Sequence, residues 1–388
     1  LAIIVMLLLI LMFTAILLQT INGYYNYQVG VYLKQLFLVQ FPYYVLLTLL
    51  CFCIHNLVNN KFIGHLLVIL FYVGQTVMLS LDVRHNLIYY GNAPSVTYSD
   101  MNGFGPFLKP VYFFYLYWAC LGVFLFMLSV LLMKHGSELS LQARYKRMKG
   151  VWQQGHGKII LPLTLLAFIL CGSFIYYNTN VLNKYSTVKA AKQRIASYEK
   201  KYRRYLDKPQ PRITSVEVNL DLFPEKSEAN FKGIYVLKNL HNKAIQTVDV
   251  LLADETVIIN SITFSTGAKL LQGDKMGYYI YALNNPLMPG DSITMQFDLN
   301  YKQIGFTNDG GRTDIAANGT FLNNSMMPSL GYNEGVELSD EDDRIEYKLP
   351  KKPYRMRPIT DTASYANTYL AQDADWVQYK CTLSTTAD

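Results

Sequence analysis

The sequence predicts a multi-domain membrane protein in which an all-α transmembrane bundle is followed by a mainly antiparallel β-domain, either a sandwich or a saddle. Three observations predict this fold class. Long apolar runs without Asp, Glu, Lys or Arg occupy the first half of the 388 residues. Apolar and polar residues alternate through much of the second half, and a basic amphipathic segment lies between the two.

Each apolar run is long enough to cross a bilayer, which takes roughly 20 helical residues. The last run divides a lipid-like half of the chain from a half of soluble character. The connection between the second and third runs is so short that these two should form an antiparallel helical hairpin. The predicted transmembrane region is 1–177, with helices at 1–21, 36–58, 63–81, 111–133 and 159–177.

The spans carry none of the charged residues that line ion or proton paths. His55 and His65 flank the short loop after the second span and are interpreted as interfacial residues rather than ligands. The loop between the third and fourth spans is rich in Gly and Pro and is expected to be an ordered surface loop rather than a substrate gate. The formal charge of +7 does not indicate nucleic-acid binding, because the basic residues gather beside the last span.

The charge distribution predicts the orientation in the membrane. The short loop from Lys134 to Lys158 holds six basic residues against Glu138 alone, so the positive-inside rule places it in the cytoplasm. The segment from Lys184 to Arg212 is basic too, but long domains translocate regardless of charge. We therefore expect an integral protein of the bacterial inner (cell) membrane, with the lipid bilayer as partner and the β-domain extracytoplasmic.

A basic amphipathic helix is predicted within 178–211, where it would form a stalk and linker. Apolar positions recur at spacings of three, four and seven on a background of Lys and Arg, which is typical of a helix with one apolar face. Pro209 and Pro211 end the helical pattern.

From residue 212 to 388 the apolar period changes to two, which predicts half-buried strands. An acidic cluster of Glu337 and Asp340–Asp343 lacks the spacing of a calcium loop, and Ser339 followed by Asp342 indicates a helix start instead. The strand candidates are 216–222, 233–237, 247–252, 257–264, 278–283 and 293–299.

Several motifs of the β-half carry a resemblance to a known family. The motifs, in order, are Asp221-Leu222-Phe223-Pro224-Glu225, Pro286-Leu287-Met288-Pro289-Gly290-Asp291, Asn318-Gly319-Thr320-Phe321-Leu322-Asn323, Met327-Pro328-Ser329-Leu330-Gly331-Tyr332 and Asp373-Ala374-Asp375-Trp376. In these the chain resembles the amino-terminal β-domain of aminopeptidase N family zinc peptidases, in the branch where the peptidase is fused behind an ABC-exporter-like permease region. The membrane half, with Met101-Asn102-Gly103-Phe104-Gly105-Pro106 before its fourth span, is similar to such a permease region.

The resemblance implies zinc-dependent removal of amino acids from peptides, with zinc held by an HExxH helix and a later Glu. This sequence contains no HExxH and no GxMEN segment, and no His follows His241. We expect a fragment truncated before the catalytic domain and inactive by itself. No catalytic, cofactor-binding or metal residue is therefore assigned, and zinc is expected only in the missing catalytic domain, which would be a partner of the β-domain.

The alternative is the permease subunit of an ABC-type exporter, whose helices form the transport path and whose β-domain is an extracytoplasmic accessory module. The sequence has no phosphate-binding GxxxxGK[ST] loop, so such an exporter would need a separate ATPase subunit. A third alternative is a structural anchor whose β-domain only binds partners.

Overall fold

The computed structural model describes residues 1–58, 60–133, 142, 144, 157–311, 314–317, 319–352, 359–362 and 373–386. The chain forms two compact units. The first comprises Leu1–Tyr185 together with Gly305–Arg312, and the second comprises Ser186–Ile304 together with Thr313–Asp388. The second unit thus begins with the segment that the sequence assigned to a stalk.

The first unit contains five long helices, each on one of the predicted spans. They are α1 (Ala2–Ile21), α2 (Val29–Leu57), α3 (Lys61–Ser80), α4 (Leu108–Leu131) and α5 (Gly157–Tyr176). All five are long and apolar enough to cross a membrane. The predicted cytoplasmic loop 134–158 lies almost wholly outside the described residues.

Two of these helices contain π-helical turns. The segment Lys34–Gln40 of α2 is π-helical and is followed by Pro42, whose ring nitrogen cannot donate the next helical hydrogen bond. The helix continues through this point from Val29, whereas the sequence predicted a start at residue 36. The end of α5 continues as a π-helix over Tyr177–Leu182.

The second unit contains nine strands among its described residues, in two sheets. Their bounds are β1 (Arg212–Phe223), β2 (Glu228–Lys238), β3 (Ile245–Leu251), β4 (Val257–Phe264), β5 (Ala268–Gly273), β6 (Tyr278–Leu287), β7 (Ser292–Lys302), β8 (Ser329–Leu330) and β9 (Ala374–Thr385). One sheet has the order β4-β7-β2-β1-β9 and the other β5-β6-β3-β8. Short 3₁₀ turns of this unit occur at Arg203–Tyr205, Pro224–Lys226, Asn324–Met326 and Glu334–Val336, and the first unit has one at Gly105–Phe107.

The six predicted strands are present, and the mainly antiparallel pairing is confirmed: the β5-β6-β3-β8 sheet is antiparallel throughout, whereas the β4-β7-β2-β1-β9 sheet is mixed. Neighbouring strands pair antiparallel except β1 and β9, which are parallel. The buried side chains of both sheets form one core, which includes Leu237, Val250 and Met295. The alternation that predicted the strands is therefore the alternation between this core and the outer faces. The sequence did not predict β5, β8 and β9, which lack such alternation or are only two residues long.

A helix of this unit, α6 (Val188–Tyr202), packs its tyrosines into a second buried cluster. Tyr198 and Tyr202 are buried together with Tyr278 and Tyr332. The rings of Tyr198 and Tyr332 stack with centroids 5.2 Å apart, and those of Tyr202 and Tyr278 with centroids 4.3 Å apart. The apolar spacing that predicted an amphipathic helix thus marks the face that is buried within the second unit.

A buried ion pair holds α6 to the segment after β8. Arg344 forms two hydrogen bonds with Glu199, from Nη2 to Oε1 at 2.6 Å and from Nη1 to Oε2 at 3.0 Å. The exposed fractions of the Arg344 and Glu199 side chains are only 2% and 1%. Arg203 Nη1 also donates to Glu199 Oε1, at 2.6 Å. Every charge removed from water here has a partner of opposite sign.

The acidic cluster is divided between two environments. The short helix α7 (Glu341–Glu346) begins with three acids, and Asp340 caps it by accepting from the backbone N–H of Asp343 at 3.0 Å. The helix start was thus predicted correctly, but the capping residue is Asp340 rather than Ser339. Glu337 is not part of the helix start, because it is buried and accepts a hydrogen bond from Tyr332 Oη at 2.8 Å.

We predict that Arg344→Leu destabilises the second unit by about 3–5 kcal/mol, because it leaves the Glu199 carboxylate buried without its main partner. The matched control is Lys351→Leu, which removes an ion pair with Glu341 whose side chains are largely exposed. That control should cost at most about 1 kcal/mol. Chemical denaturation followed by circular dichroism measures both, and equal losses in the two variants would contradict the prediction.

Candidate functional site

The loop of residues 305–311, which follows β7 in the sequence, is built into the first unit among the ends of its helices. Phe306 is the apolar centre of this loop and only 4% exposed. Its ring stacks on Phe113 with centroids 5.8 Å apart and planes 13° apart. Phe114 and Phe174 pack around it with centroids 6.2 and 6.1 Å away. Aromatic residues of α4 and α5 thus enclose one aromatic residue from a distant part of the chain.

Asn308 supplies the polar half of the same attachment. Its Oδ1 accepts from the backbone N–H of Asn86 at 2.9 Å, and its backbone carbonyl accepts from Asn86 Nδ2 at 2.6 Å. Asn308 Nδ2 donates to the carbonyl of Arg84 at 3.3 Å. Asn92 Nδ2 in turn donates to Asn86 Oδ1 at 2.6 Å. These amides satisfy one another away from water, where an unpaired polar group would be costly.

The conformation of the loop depends on its glycines. Gly305 has a φ of +65°, and a Cβ at this position would lie 2.2 Å from Asn178 Oδ1. Thr307 and Gly310 exchange backbone hydrogen bonds at 2.9 and 3.1 Å, which closes a tight turn in which Gly310 has a φ of +112°. Asn308, Asp309, Gly310 and Gly311 are residue types typical of turns, and a turn is present. Only the structure identifies what the turn contacts.

Polar side chains also close the end of α5 beside the loop. Asn178 Nδ2 donates to the carbonyl of Phe174 at 2.9 Å. Asn183 Nδ2 donates to the carbonyls of Asn178 and Phe306, at 2.9 and 3.2 Å. The backbone N–H of Asn183 donates to the carbonyl of Asn178 as well, at 3.1 Å, so Asn183 caps the π-helical end of this helix. The carbonyl of Phe306 is bound to the helix end in the same way.

His85 is a titratable group of this site whose ring contacts the end of α5. The backbone N–H of Leu87 donates to its Nδ1 at 3.2 Å. Nε2 lies 3.2 Å from Thr179 Oγ1 and 3.1 Å from the amide nitrogen of Asn180, Nδ2. Burial lowers the pKa of His85, and the nearby Asp309 carboxylate opposes that effect only in part.

The groups of this site are suited to attaching a segment of chain rather than to reacting with a substrate. Its amides, hydroxyl and imidazole are bonded to one another and to backbone groups, and its floor is aromatic. No group of three or more His, Cys, Asp or Glu residues that could hold a metal ion occurs in the part of the chain that the structure describes. The arrangement is suited to holding a segment of chain in place.

The sequence did not predict these residues. The patterns assigned no catalytic, cofactor or metal residue, and that assignment stays a prediction. His55 and His65 lie elsewhere in the first unit, where their rings contact each other with centroids 4.6 Å apart. The only sequence signals for the site were polar residues such as His85 and Asn86 after an apolar run, and Phe306 isolated in a turn-rich stretch.

Comparison with known proteins identifies no family. No family model and no curated protein matches the sequence. A solved M1 zinc metallopeptidase from Deinococcus radiodurans has a TM-score of 0.21 and 9% identity over 24% of this chain and 21% of that one. Native yeast LTA4 hydrolase has a TM-score of 0.18 and 16% identity over 24% of this chain and 14% of that one. The chain spans about a fifth or less of these two structures, and at such scores the likeness carries no argument.

We predict that Phe306→Ala destabilises the first unit by about 3–5 kcal/mol, because it leaves a cavity among the surrounding aromatic rings. The matched control is Phe321→Ala, since Phe321 is 77% exposed and its removal should cost under about 0.5 kcal/mol. Both variants of the full chain are compared with the wild type by unfolding in detergent. If the free energy of unfolding of Phe306→Ala equals that of the wild type, the Phe306 ring does not stabilise the first unit and the prediction is wrong.

A second prediction concerns pH. Because the folded chain lowers the pKa of His85 below its usual 6.5, the unfolded chain binds a proton more readily. The stability from neutral His85 is therefore complete above about pH 6.5 and decreases as the pH falls below it. Melting temperatures at pH 7.5 and 5.0 should differ less in His85→Gln than in the wild type. The exposed His241 provides the control, and His241→Gln should retain the wild-type difference.

Proposed function

We propose that this chain is the membrane-anchored, non-catalytic part of a zinc aminopeptidase. Its helices fix a β-domain at a bacterial inner membrane, and the catalytic zinc belongs to a separate domain. The observation that carries the anchoring role is the course of the chain. The chain crosses between the helical and β-rich units three times, after Tyr185, Ile304 and Arg312. The segment Gly305–Arg312 between the last two crossings belongs to the helical unit.

The surfaces of the helices support insertion into a bilayer. Large apolar side chains are exposed along α1, α3 and α5, for example Phe13, Ile69 and Leu170. Leaving one such side chain in water costs about 1.5–3 kcal/mol of free energy relative to burying it. A contiguous apolar surface of this kind marks a contact with membrane or protein. Lipid around all five helices accounts for the exposed side chains without another protein.

The attachment of the 305–311 loop supports a role in holding the β-domain. A single linker after Tyr185 would leave the β-domain free to move over a wide range. The loop adds two further covalent connections and is held by a buried aromatic ring and by the paired amides of Asn86 and Asn308.

The assignment to a peptidase rests on the sequence resemblance. The matching motifs coincide with elements that shape the β-rich unit rather than with a reactive centre. The first ends β1 and begins a 3₁₀ turn, and the second forms the turn between β6 and β7, in which Gly290 has a φ of +83°. The fourth contains β8. The resemblance is therefore to a framework beside which the zinc-binding domain of a peptidase would pack.

The experiment has two parts. The full chain, purified with added zinc, should release no amino acid from aminoacyl p-nitroanilides, and the reading frame beyond residue 388 should encode HExxH followed by a Glu. Activity in the chain itself would contradict the non-catalytic role, and an extended frame without HExxH would contradict the peptidase. ATP-dependent export with a separate ATPase subunit would instead establish the ABC-type permease.

The membrane assignment is tested separately by fractionation of the cells that express the chain. We expect the chain to stay with the membranes after alkaline carbonate extraction. A tag placed after Asp388 should be digested by protease added to spheroplasts, since the β-domain is proposed to be extracytoplasmic. Release of the chain by carbonate would exclude insertion, and a protected tag would place the β-domain in the cytoplasm.

A further inference from the structure

A crevice of about 220 Å³ lies in the first unit, apart from the 305–311 loop. Three tyrosines and two side-chain amides provide most of its wall. Among the residues that the structure describes, the lining contains no Asp, Glu, Lys or Arg. Its residues are Val39, Gln40, Tyr43, Tyr44, Gly91, Asn92, Ala93 and Tyr115.

The π-helical segment of α2 shapes one wall of this crevice. The segment ends at Gln40, and Tyr115 on α4 donates a hydrogen bond to the carbonyl of Val39 at 2.6 Å. A tyrosine of the neighbouring helix thus binds a carbonyl at the point where the helical hydrogen bonding changes. π-helical turns of this kind occur frequently at functional sites.

Another part of the lining comes from the loop between α3 and α4, which is held by packing and hydrogen bonds. Gly91 has a φ of +73°, and a Cβ there would lie 3.2 Å from the ring of Tyr43. The neighbouring Asn92 is bonded through its side chain to Asn86, and its carbonyl accepts from Trp118 Nε1 at 3.0 Å. The crevice therefore exists between two fixed walls and does not require a ligand to form.

The position of the crevice indicates which part of a bilayer it faces. Gly91, Asn92 and Ala93 belong to a loop between two membrane-spanning helices, and Tyr115 lies in the first turns of α4. The crevice is thus close to the level at which the helices leave the hydrocarbon, where lipid headgroups lie. Leu33 and Leu38 of α2 are exposed and could contact acyl chains.

We infer that this crevice binds the ammonium headgroup of a membrane lipid. Tyrosine faces attract ammonium groups, and aromatic cages are a common way to recognise them. The carbonyl oxygens of Gln40 and Asn92 side chains add acceptors that an ammonium group can use. A phosphate or glycerol-phosphate headgroup would find no cationic partner among the lining residues. This inference rests on the proposed membrane insertion.

The test uses the full chain, freed of lipid in mild detergent. Short-chain phosphatidylcholine and phosphatidylethanolamine should raise its melting temperature with saturation, because a ligand of the folded state stabilises it. Phosphatidylglycerol of the same chain length should produce no saturable increase. Trp118 Nε1 donates a hydrogen bond to the backbone carbonyl of Asn92, a residue of the crevice, so the fluorescence of Trp118 should change with the same saturation.

Variants of one tyrosine separate cation binding from folding. Tyr43→Leu should weaken binding of phosphatidylcholine by about tenfold, whereas Tyr43→Phe keeps the aromatic face and should bind within about twofold of the wild type. Tyr112→Leu is the control, because Tyr112 is an exposed tyrosine of α4 outside the crevice. If Tyr43→Leu does not fold, Tyr44→Leu replaces it.

Equal stabilisation by phosphatidylglycerol, or unchanged affinity in the leucine variant of the crevice that folds, would overturn the inference. Either result in a chain that stays with carbonate-washed membranes would leave the proposed anchoring role intact. Release of the chain by carbonate would instead contradict the proposed function, whatever the lipid binding.

Discussion

The pairing of Asn86 with Asn308 is the interaction on which the arrangement of the first unit depends. These residues are 222 positions apart in the sequence, yet their amides and backbone groups form two hydrogen bonds away from water. Buried polar groups at the ends of apolar helices must be paired within the protein, because no water reaches them there and lipid chains offer no hydrogen bonds. Here a returning loop supplies them, and Phe306 accompanies Asn308 into the interior.

The second unit obeys the same constraint with charges instead of amides. Glu199 of α6 and Arg344 of α7 are both buried and form a bidentate pair, and Arg203 completes the partners of Glu199. Replacing such a pair by apolar residues is often neutral, whereas removing one member is strongly destabilising. The pair therefore specifies where α6 packs within its unit more than it adds to stability.

These two attachments bear on the proposed function in a consistent way. Each joins segments that are far apart in the sequence, and each consists of groups already bonded to one another. Groups of that kind fix positions, whereas a catalytic centre needs groups left free to act on substrate. The tyrosine-lined crevice is different, because its aromatic walls stand open and the lining residues that the structure describes carry no charge. It is the better place to expect a bound molecule.

The sequence by itself determined the element types. Apolar runs without charge fixed the five long helices, and period-two alternation fixed six strands, because these patterns record which residues leave water. Local turn chemistry also identified the turn at residues 308–311 and the start of α7, although Asp340 rather than Ser339 caps it.

Only the tertiary structure decided which distant residues meet. Nothing local in the sequence marks His85, Asn86 or Phe306 as neighbours, or Glu337 as a buried partner of Tyr332 rather than part of a helix start. The edge strand β9 was missed for a related reason, since it is defined by pairing with β1 rather than by its own pattern. Periodicity reports the burial of a residue, whereas the identity of its partner depends on the path of the whole chain.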